Sequence, residues 1–190
     1  MIRHLDSLGL VLIALVASAT LIPCHGADAV AAFETPGEHL DRDLKPIRAH
    51  VQSMKARIER GIRSVSVAEE PTQAAVQIHG WAAKCCTKSI REVHRRTGSL
   101  EKRSVDLVKI YQAEGHADGA QLAGEMAADA VALREQIELF AAAPDQTSAF
   151  GALQNVVKGV INLNIDRRDL EKCCNEIQIP VPPDEATTED

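Results

Sequence analysis

The sequence predicts an all-α protein, an antiparallel bundle of three long core helices plus an N-terminal helix. Aromatic residues make up only 3% of the 190 residues. Apolar residues recur at steps of three and four along most of the chain, whereas the alternation typical of strands is nearly absent. Two pairs of adjacent cysteines lie far apart in the chain, and we expect inter-helix disulfides between them to brace the bundle.

The first 29 residues are predicted to be a cleaved export signal. A basic start precedes an apolar run over 8–22, and residues 27–29 fit a small-x-small cleavage site. A membrane span is the alternative, but this run is shorter than the roughly 20 residues that cross a bilayer. A lipid on Cys24 is a second, less favoured alternative. The sequence therefore predicts a periplasmic or secreted protein with no stable membrane span after cleavage.

A stripe of apolar residues predicts the N-terminal helix. Residues 35–38, Thr-Pro-Gly-Glu, supply a helix start. Pro46 interrupts the pattern, so we expect either a kink there or a helix that begins only at Lys45. The stripe comprises Leu40, Leu44, Ile47, Val51, Met54, Ile58 and Ile62.

Three further segments carry the same rhythm and are predicted to form the core. The second is expected to end at 97–99, the third to run from Leu100 to 143–144, and the fourth to begin at Gln146. Gly115 and Gly119 weaken the middle of the third segment. The predicted seam residues are Val76, His79, Ala83, Cys86, Ile90 and Val93, then Val108, Tyr111, Leu122, Met126, Ala130, Leu133, Ile137 and Phe140, then Leu153, Val156, Val160, Leu163, Arg167, Leu170, Cys174 and Ile177.

The remaining segments complete a three-part organisation. We expect a signal peptide over 1–29, a single helical-bundle domain over 30–179, and a disordered, acidic, proline-containing tail over 180–190. The net charge of −6 gives no indication of nucleic-acid binding. Arg167 occupies a seam position, so we expect it to pair with a buried acid such as Asp129 or to extend to the surface.

The four cysteines outside the signal are predicted to form two disulfides, Cys85 with Cys173 and Cys86 with Cys174. The pairs can meet only if the chain reverses near Gly98, because an unbroken helix through that residue would separate them by about 45 Å. Bridged Cα atoms lie within about 7 Å. The sequence leaves open whether the chain turns at Gly98, near Gly115 or at both, and it does not fix the connectivity.

A metal-binding role is the alternative interpretation of these cysteines. Four thiolates from two helices could hold copper or zinc, with His79 as a further ligand. Adjacent residues of a helix point about 100° apart, so this spacing is unusual for a chelating pair. The candidate metal ligands are Cys85, Cys86, Cys173, Cys174 and His79.

The basic residues of the first helix predict an interaction face for an acidic protein or an anionic envelope component, although a solvated face is the plainer interpretation. These residues are Arg42, Lys45, Arg48, Lys55 and Arg60. We recognise no catalytic motif, which favours a protein that is not an enzyme. The sequence therefore predicts an exported bundle that acts through protein or envelope contacts and can form oligomers, with the metal-binding module as the alternative.

Overall fold

The computed structural model describes residues 33–66, 81–174 and 176–181, and it confirms the predicted helical class. Its elements are strand β1 (Phe33–Glu34), helix α1 (Pro36–Ser66), helix α2 (Trp81–Ala113), helix α3 (Ala117–Ala142), helix α4 (Gln146–Cys174) and strand β2 (Ile179–Pro180). The predicted signal over 1–29 lies outside the described residues.

The four helices form an antiparallel bundle in which each helix packs on two neighbours. Helix α1 packs on α2 and α4, and helix α3 packs on the same two helices from the other side. Helices α2 and α4 are diagonal and barely touch. The expected division into three core helices and an additional N-terminal helix is therefore wrong, because α1 contributes one full side of a four-helix core.

Helix α2 runs without interruption through Gly98, so the expected turn at that residue is wrong. The seam continues across it with Val93, Leu100 and Leu107, all fully buried and spaced seven residues apart. Packing on both sides thus offsets the roughly 1 kcal/mol by which glycine weakens a helix. The chain turns instead at Gly115, whose φ of 77° is in the left-handed region that glycine adopts most easily.

The core confirms most of the predicted seam residues. Tyr111 and Phe140 are its largest members. The side chains of Val76, His79, Ala83 and Ile62 lie outside the described set. The predicted residues that are buried are Leu40, Leu44, Ile47, Val51, Met54, Ile58, Cys86, Val93, Tyr111, Met126, Ala130, Leu133, Ile137, Phe140, Leu153, Val156, Val160, Leu163, Leu170 and Cys174.

The start of α1 is fixed by a capping box, as the Thr-Pro-Gly-Glu sequence predicts. The backbone N–H of Thr35 donates to Glu38 Oε2 at 2.8 Å, and the N–H of Glu38 donates to Thr35 Oγ1 at 3.3 Å. These bonds lower the pKa of the Glu38 carboxyl. Pro46 lies inside the helix, so the alternative start at Lys45 is wrong.

A short strand pair joins the two ends of the described chain. Strands β1 and β2 are antiparallel, with Phe33 opposite Pro180 and Glu34 opposite Ile179. Pro180, where we expected the disordered tail to begin, is thus part of the folded unit. Within the described ranges, none of the helices is long and apolar enough to cross a bilayer.

Candidate functional site

The two cysteine pairs lie at opposite ends of the bundle. Cys85 and Cys86 are near the start of α2, whereas Cys173 and Cys174 are the last residues of α4, beside Tyr111 near the end of α2. The 25 residues of continuous helix from Cys86 to Tyr111 span about 37 Å. No disulfide joins the two pairs, so the structure does not support the predicted inter-helix disulfides. Because the two pairs lie at opposite ends of the bundle, the four thiols of one chain do not converge on a single metal ion.

Within each pair, however, the two sulfur atoms are close together. Sγ of Cys173 and Sγ of Cys174 are 2.8 Å apart, and the Sγ atoms of Cys85 and Cys86 are 3.0 Å apart. Cys174 and Cys86 are buried, while Cys173 is exposed and Cys85 is half-buried. Each pair is therefore a separate dithiol with one sulfur near the solvent and one inside the bundle.

The C-terminal cysteine pair lies in a tightly packed cluster, which we call the C-terminal dithiol site. Its members are Cys173, Cys174, Tyr111 and Gly119. A Cβ atom on Gly119 would lie 2.7 Å from Cys174 Sγ and 2.9 Å from Cδ1 of Tyr111. Burial, the hydrogen bond with Cys173 and nearby negative charge raise the pKa of Cys174 to about 12. Burial also raises the pKa of Tyr111, with a further contribution from the neighbouring Cys174 and Cys173. Both groups are protonated at neutral pH.

The dithiol on α2 has a different environment. The guanidinium of Arg57 donates to the backbone carbonyl of Cys85 at 2.8 Å. Burial raises the pKa of Cys86 to about 12, although the charge of Arg57 acts in the opposite direction. His79, the predicted additional ligand, lies outside the described residues. Among the residues the structure does describe, no group of three His, Cys, Asp or Glu side chains is arranged to hold a metal ion.

Sequence reasoning missed an ion-pair network between α1 and its neighbours. Asp43 on α1 is only 1% exposed and accepts Arg96 Nη1 at 3.0 Å and Arg103 Nε at 3.1 Å, both from α2. The nearly buried Glu34 pairs with Arg42 at 2.8 Å and with His39. The contacts of Asp43 fix α1 to α2, and those of Glu34 fix β1 to α1. A polar residue at the edge of the apolar stripe, Asp43, was the available signal.

Arg167 pairs with acids other than the predicted Asp129. Its Nε lies 2.7 Å from Asp41 Oδ1 on α1, and its Nη2 lies 2.8 Å from Glu171 Oε1 on its own helix. Asp129 instead faces Asp166 across the contact between α3 and α4. Burial, followed by the negative charges of Asp129 and neighbouring acids, raises the pKa of Asp166 to about 6. Arg167 thus pairs with acids, but Asp41 is only partly buried, Glu171 is more exposed, and neither is the expected Asp129.

The predicted interaction face on α1 is largely exposed. Lys45, Arg48, Lys55 and Arg60 are solvent-exposed, whereas Arg42 is partly buried in its ion pair with Glu34. Lys45 lies 3.5 Å from Asp41 and Lys55 lies 3.9 Å from Glu59. Exposed pairs of this kind contribute little and leave the cations accessible to a partner.

An apolar pair lies on the exposed side of α4. Ile161 is 52% exposed and Ile165, one turn later, is 48% exposed. Val157 and Phe150 on the same helix are partly buried. Two large aliphatic side chains are therefore presented to the solvent by the helix that packs beside α1.

A shallow groove of about 280 Å³ lies between α2 and α3. At its rim, Nε2 of His94 and Oε1 of Glu138 are 3.1 Å apart, and both side chains are largely exposed. The groove is lined by Thr87, Ile90, Arg91, His94, Ile137, Glu138 and Ala141. An exposed ion pair at an open rim is ordinary surface chemistry and gives no indication of catalysis.

Comparison with known proteins adds no relative, because no family model, no curated protein and no solved structure matches the chain.

Proposed function

We propose that this protein is an exported, non-enzymatic helical module that binds an anionic membrane surface of the envelope through α1 and α4. The observation that carries this proposal is the group of exposed cations Lys45, Arg48 and Lys55, which we call the cation row. Export rests on the signal predicted for residues 1–29.

The cation row lies on one flank of α1. At about 100° per residue, its three members fall within a sector of about 80°. Asp41, which pairs with Arg167 of α4, falls in the same sector. The row therefore faces the side of α1 next to α4, away from the flank that Asp43 presents to α2.

The exposed isoleucines of α4 complement these charges. Helices α1 and α4 are antiparallel neighbours. Arg48 and Lys55 on α1 therefore lie at the same height along the bundle as the part of α4 that ends at Ile161. Aliphatic side chains beside lysine and arginine are typical of helices that lie in a membrane interface, where the apolar groups enter the acyl boundary and the cations meet lipid headgroups.

The charges are sufficient for weak, reversible binding. Each lysine or arginine near an anionic leaflet contributes about 1 kcal/mol. The three cations together therefore contribute at most about 3 kcal/mol, or up to roughly 150-fold in affinity, because Asp41 and Glu59 partly offset Lys45 and Lys55. Burial of the two isoleucines adds to this. Because this attraction is screened within a Debye length, binding should weaken with salt.

Vesicle sedimentation tests the proposal. The protein is recovered after export, so that no intact signal contributes, and is mixed with vesicles of pure phosphatidylcholine or with added phosphatidylglycerol. We expect binding to the anionic vesicles alone. Changing Lys45, Arg48 and Lys55 together to Glu should abolish it.

The matched control reverses three exposed lysines of α2, Lys84, Lys88 and Lys102. This control changes the net charge equally and should retain most of the binding. Equal loss in both variants, or no binding to anionic vesicles, would contradict the proposal. Capture of an acidic protein that depends on the cation row, without vesicle binding, would replace the membrane with a protein partner.

A further inference from the structure

The C-terminal dithiol site presents two sulfur atoms on one side. Adjacent side chains of a helix diverge by about 100°, yet Sγ of Cys173 and Sγ of Cys174 are only 2.8 Å apart. Their side chains must therefore be turned toward each other. Cys173 is exposed and gives access from the solvent, while Cys174 is buried. A ligand that takes two neighbouring sulfurs can approach them together.

The hydroxyl of Tyr111 is the second feature of this site. Tyr111 is fully buried, and its hydroxyl has no hydrogen-bond partner among the described residues. Leaving such a group unpaired in the core is unfavourable. The thiols of Cys174 and Cys173 are near enough for negative charge on them to affect the phenol. A group held by the two sulfurs would give this hydroxyl an acceptor.

The protonation of the thiols discriminates between classes of ligand. Because the pKa of Cys174 is raised to about 12, a divalent cation must displace protons that the site holds firmly. Arsenous acid, As(OH)3, instead condenses with two thiols. Two As–S bonds form, two As–O bonds break, and the two hydroxyl groups leave as water with the thiol protons, so that one As–OH oxygen remains. Arsenic stays trivalent and the product is neutral, so burial does not oppose it.

We propose that Cys173 and Cys174, with Tyr111, form a binding site for arsenous acid, whose arsenic bridges the two sulfurs and whose remaining hydroxyl oxygen accepts a hydrogen bond from the Tyr111 hydroxyl. The site is independent of the membrane-binding face. Gly119 keeps it open, since a Cβ at that position would meet both Cys174 and the Tyr111 ring.

The other cysteine pair supplies an internal control. The sulfurs of Cys85 and Cys86 are 3.0 Å apart, so this pair can also form two As–S bonds. Tyr111 is the single tyrosine of the chain and lies at the far end of α2. The contribution of the phenol is therefore specific to the C-terminal pair.

The test uses the full chain carrying Cys24→Ser, reduced, in two backgrounds. One carries Cys85→Ser with Cys86→Ser, and the other carries Cys173→Ser with Cys174→Ser. Sodium arsenite, which is arsenous acid at these pH values, is the probe. Intact mass counts the adducts, and competition with 2,3-dimercaptopropanol measures affinity. We expect one adduct per remaining pair and an affinity at the C-terminal pair that is constant from about pH 6 to about pH 8.

Tyr111→Phe is the decisive variant. It should weaken binding at the C-terminal pair by about threefold to tenfold, the effect of one hydrogen bond, and leave the other pair unchanged. Circular dichroism checks that the variant is folded. The proposal is overturned by a missing adduct at the C-terminal pair, by an adduct that survives Cys173→Ser, or by an equal effect of Tyr111→Phe on both pairs. Tight binding of zinc with release of two protons, without arsenical binding, would also overturn it.

Discussion

Replacing Gly119 by alanine tests the packing at the end of the bundle where α2, α3 and α4 meet. The added Cβ would lie 2.7 Å from Cys174 Sγ and 2.9 Å from Cδ1 of Tyr111. Cys174 can rotate, but the Tyr111 ring is enclosed by the core. The structure must therefore shift to admit the methyl group.

The magnitude follows from two opposing effects. Alanine gains about 1 kcal/mol over glycine inside a helix, while overpacking a well-packed core costs about 1–3 kcal/mol. Gly151 on α4 provides the control, because a Cβ there meets nothing within 4 Å. Gly119→Ala should therefore be about 1–3 kcal/mol less stable than Gly151→Ala.

Urea denaturation followed by circular dichroism, in reducing buffer, measures both free energies of unfolding. The m-value should be the same for the two variants, since the surface exposed on unfolding does not change. If Gly119→Ala were as stabilising as Gly151→Ala, the close approach of Cys174 and Tyr111 to α3 would be refuted.

Three further predictions concern charge and cross-linking. Asp43→Asn should lower the free energy of unfolding by about 3 kcal/mol, since it removes a buried charge that two arginines face. In the same urea titration, the control Asp106→Asn, at an exposed position, should change this free energy by less than about 0.5 kcal/mol. Asp166→Asn should stabilise the protein at pH 7. The pKa of the Asp166 carboxyl is raised from the ordinary 3.8 to about 6 in the folded protein. This carboxyl therefore favours folding below both pKa values and loses that contribution as the pH rises from about 3.8 to about 6. Urea titrations at several pH values should show the difference between wild type and variant growing over that interval, and a constant difference would contradict the shift. Mild reduction should leave the thermal midpoint unchanged, because no disulfide joins the two cysteine pairs, and a fall of several degrees would contradict the separation of the pairs.

The apolar rhythm predicted the helical seams because a buried stripe must recur every three or four residues whatever the partner helix is. The turn position was not predicted, since Gly98 and Gly115 are both glycines at which a helix could end. Continuation of the seam from Val93 to Leu100 favours a helix through Gly98, and this pattern was present in the sequence. The predicted disulfides required a turn at Gly98, and without that turn the two cysteine pairs do not meet.

The ion-pair partners depend on tertiary contacts that the sequence does not specify. Adjacent positions on α4 point about 100° apart, so Arg167 faces α1 while Asp166 faces α3. Choosing Asp129 as the partner of Arg167 placed the arginine on the wrong flank. The interaction face was predicted more fully, because four of its five residues are exposed outside the apolar stripe, and only Arg42 is partly buried in a pair with Glu34.

The separate positions of the two dithiols depend on a continuous α2 helix. The distance between the two cysteine pairs tests this continuity most directly. Spin labels on Cys85 and Cys173, in a chain with Cys24, Cys86 and Cys174 changed to alanine, allow electron-electron resonance to measure it. We expect a distance of about 40 Å, the length of α2 between the two levels. A distance below about 20 Å would place the pairs together, restore the turn at Gly98 and contradict the continuous helix.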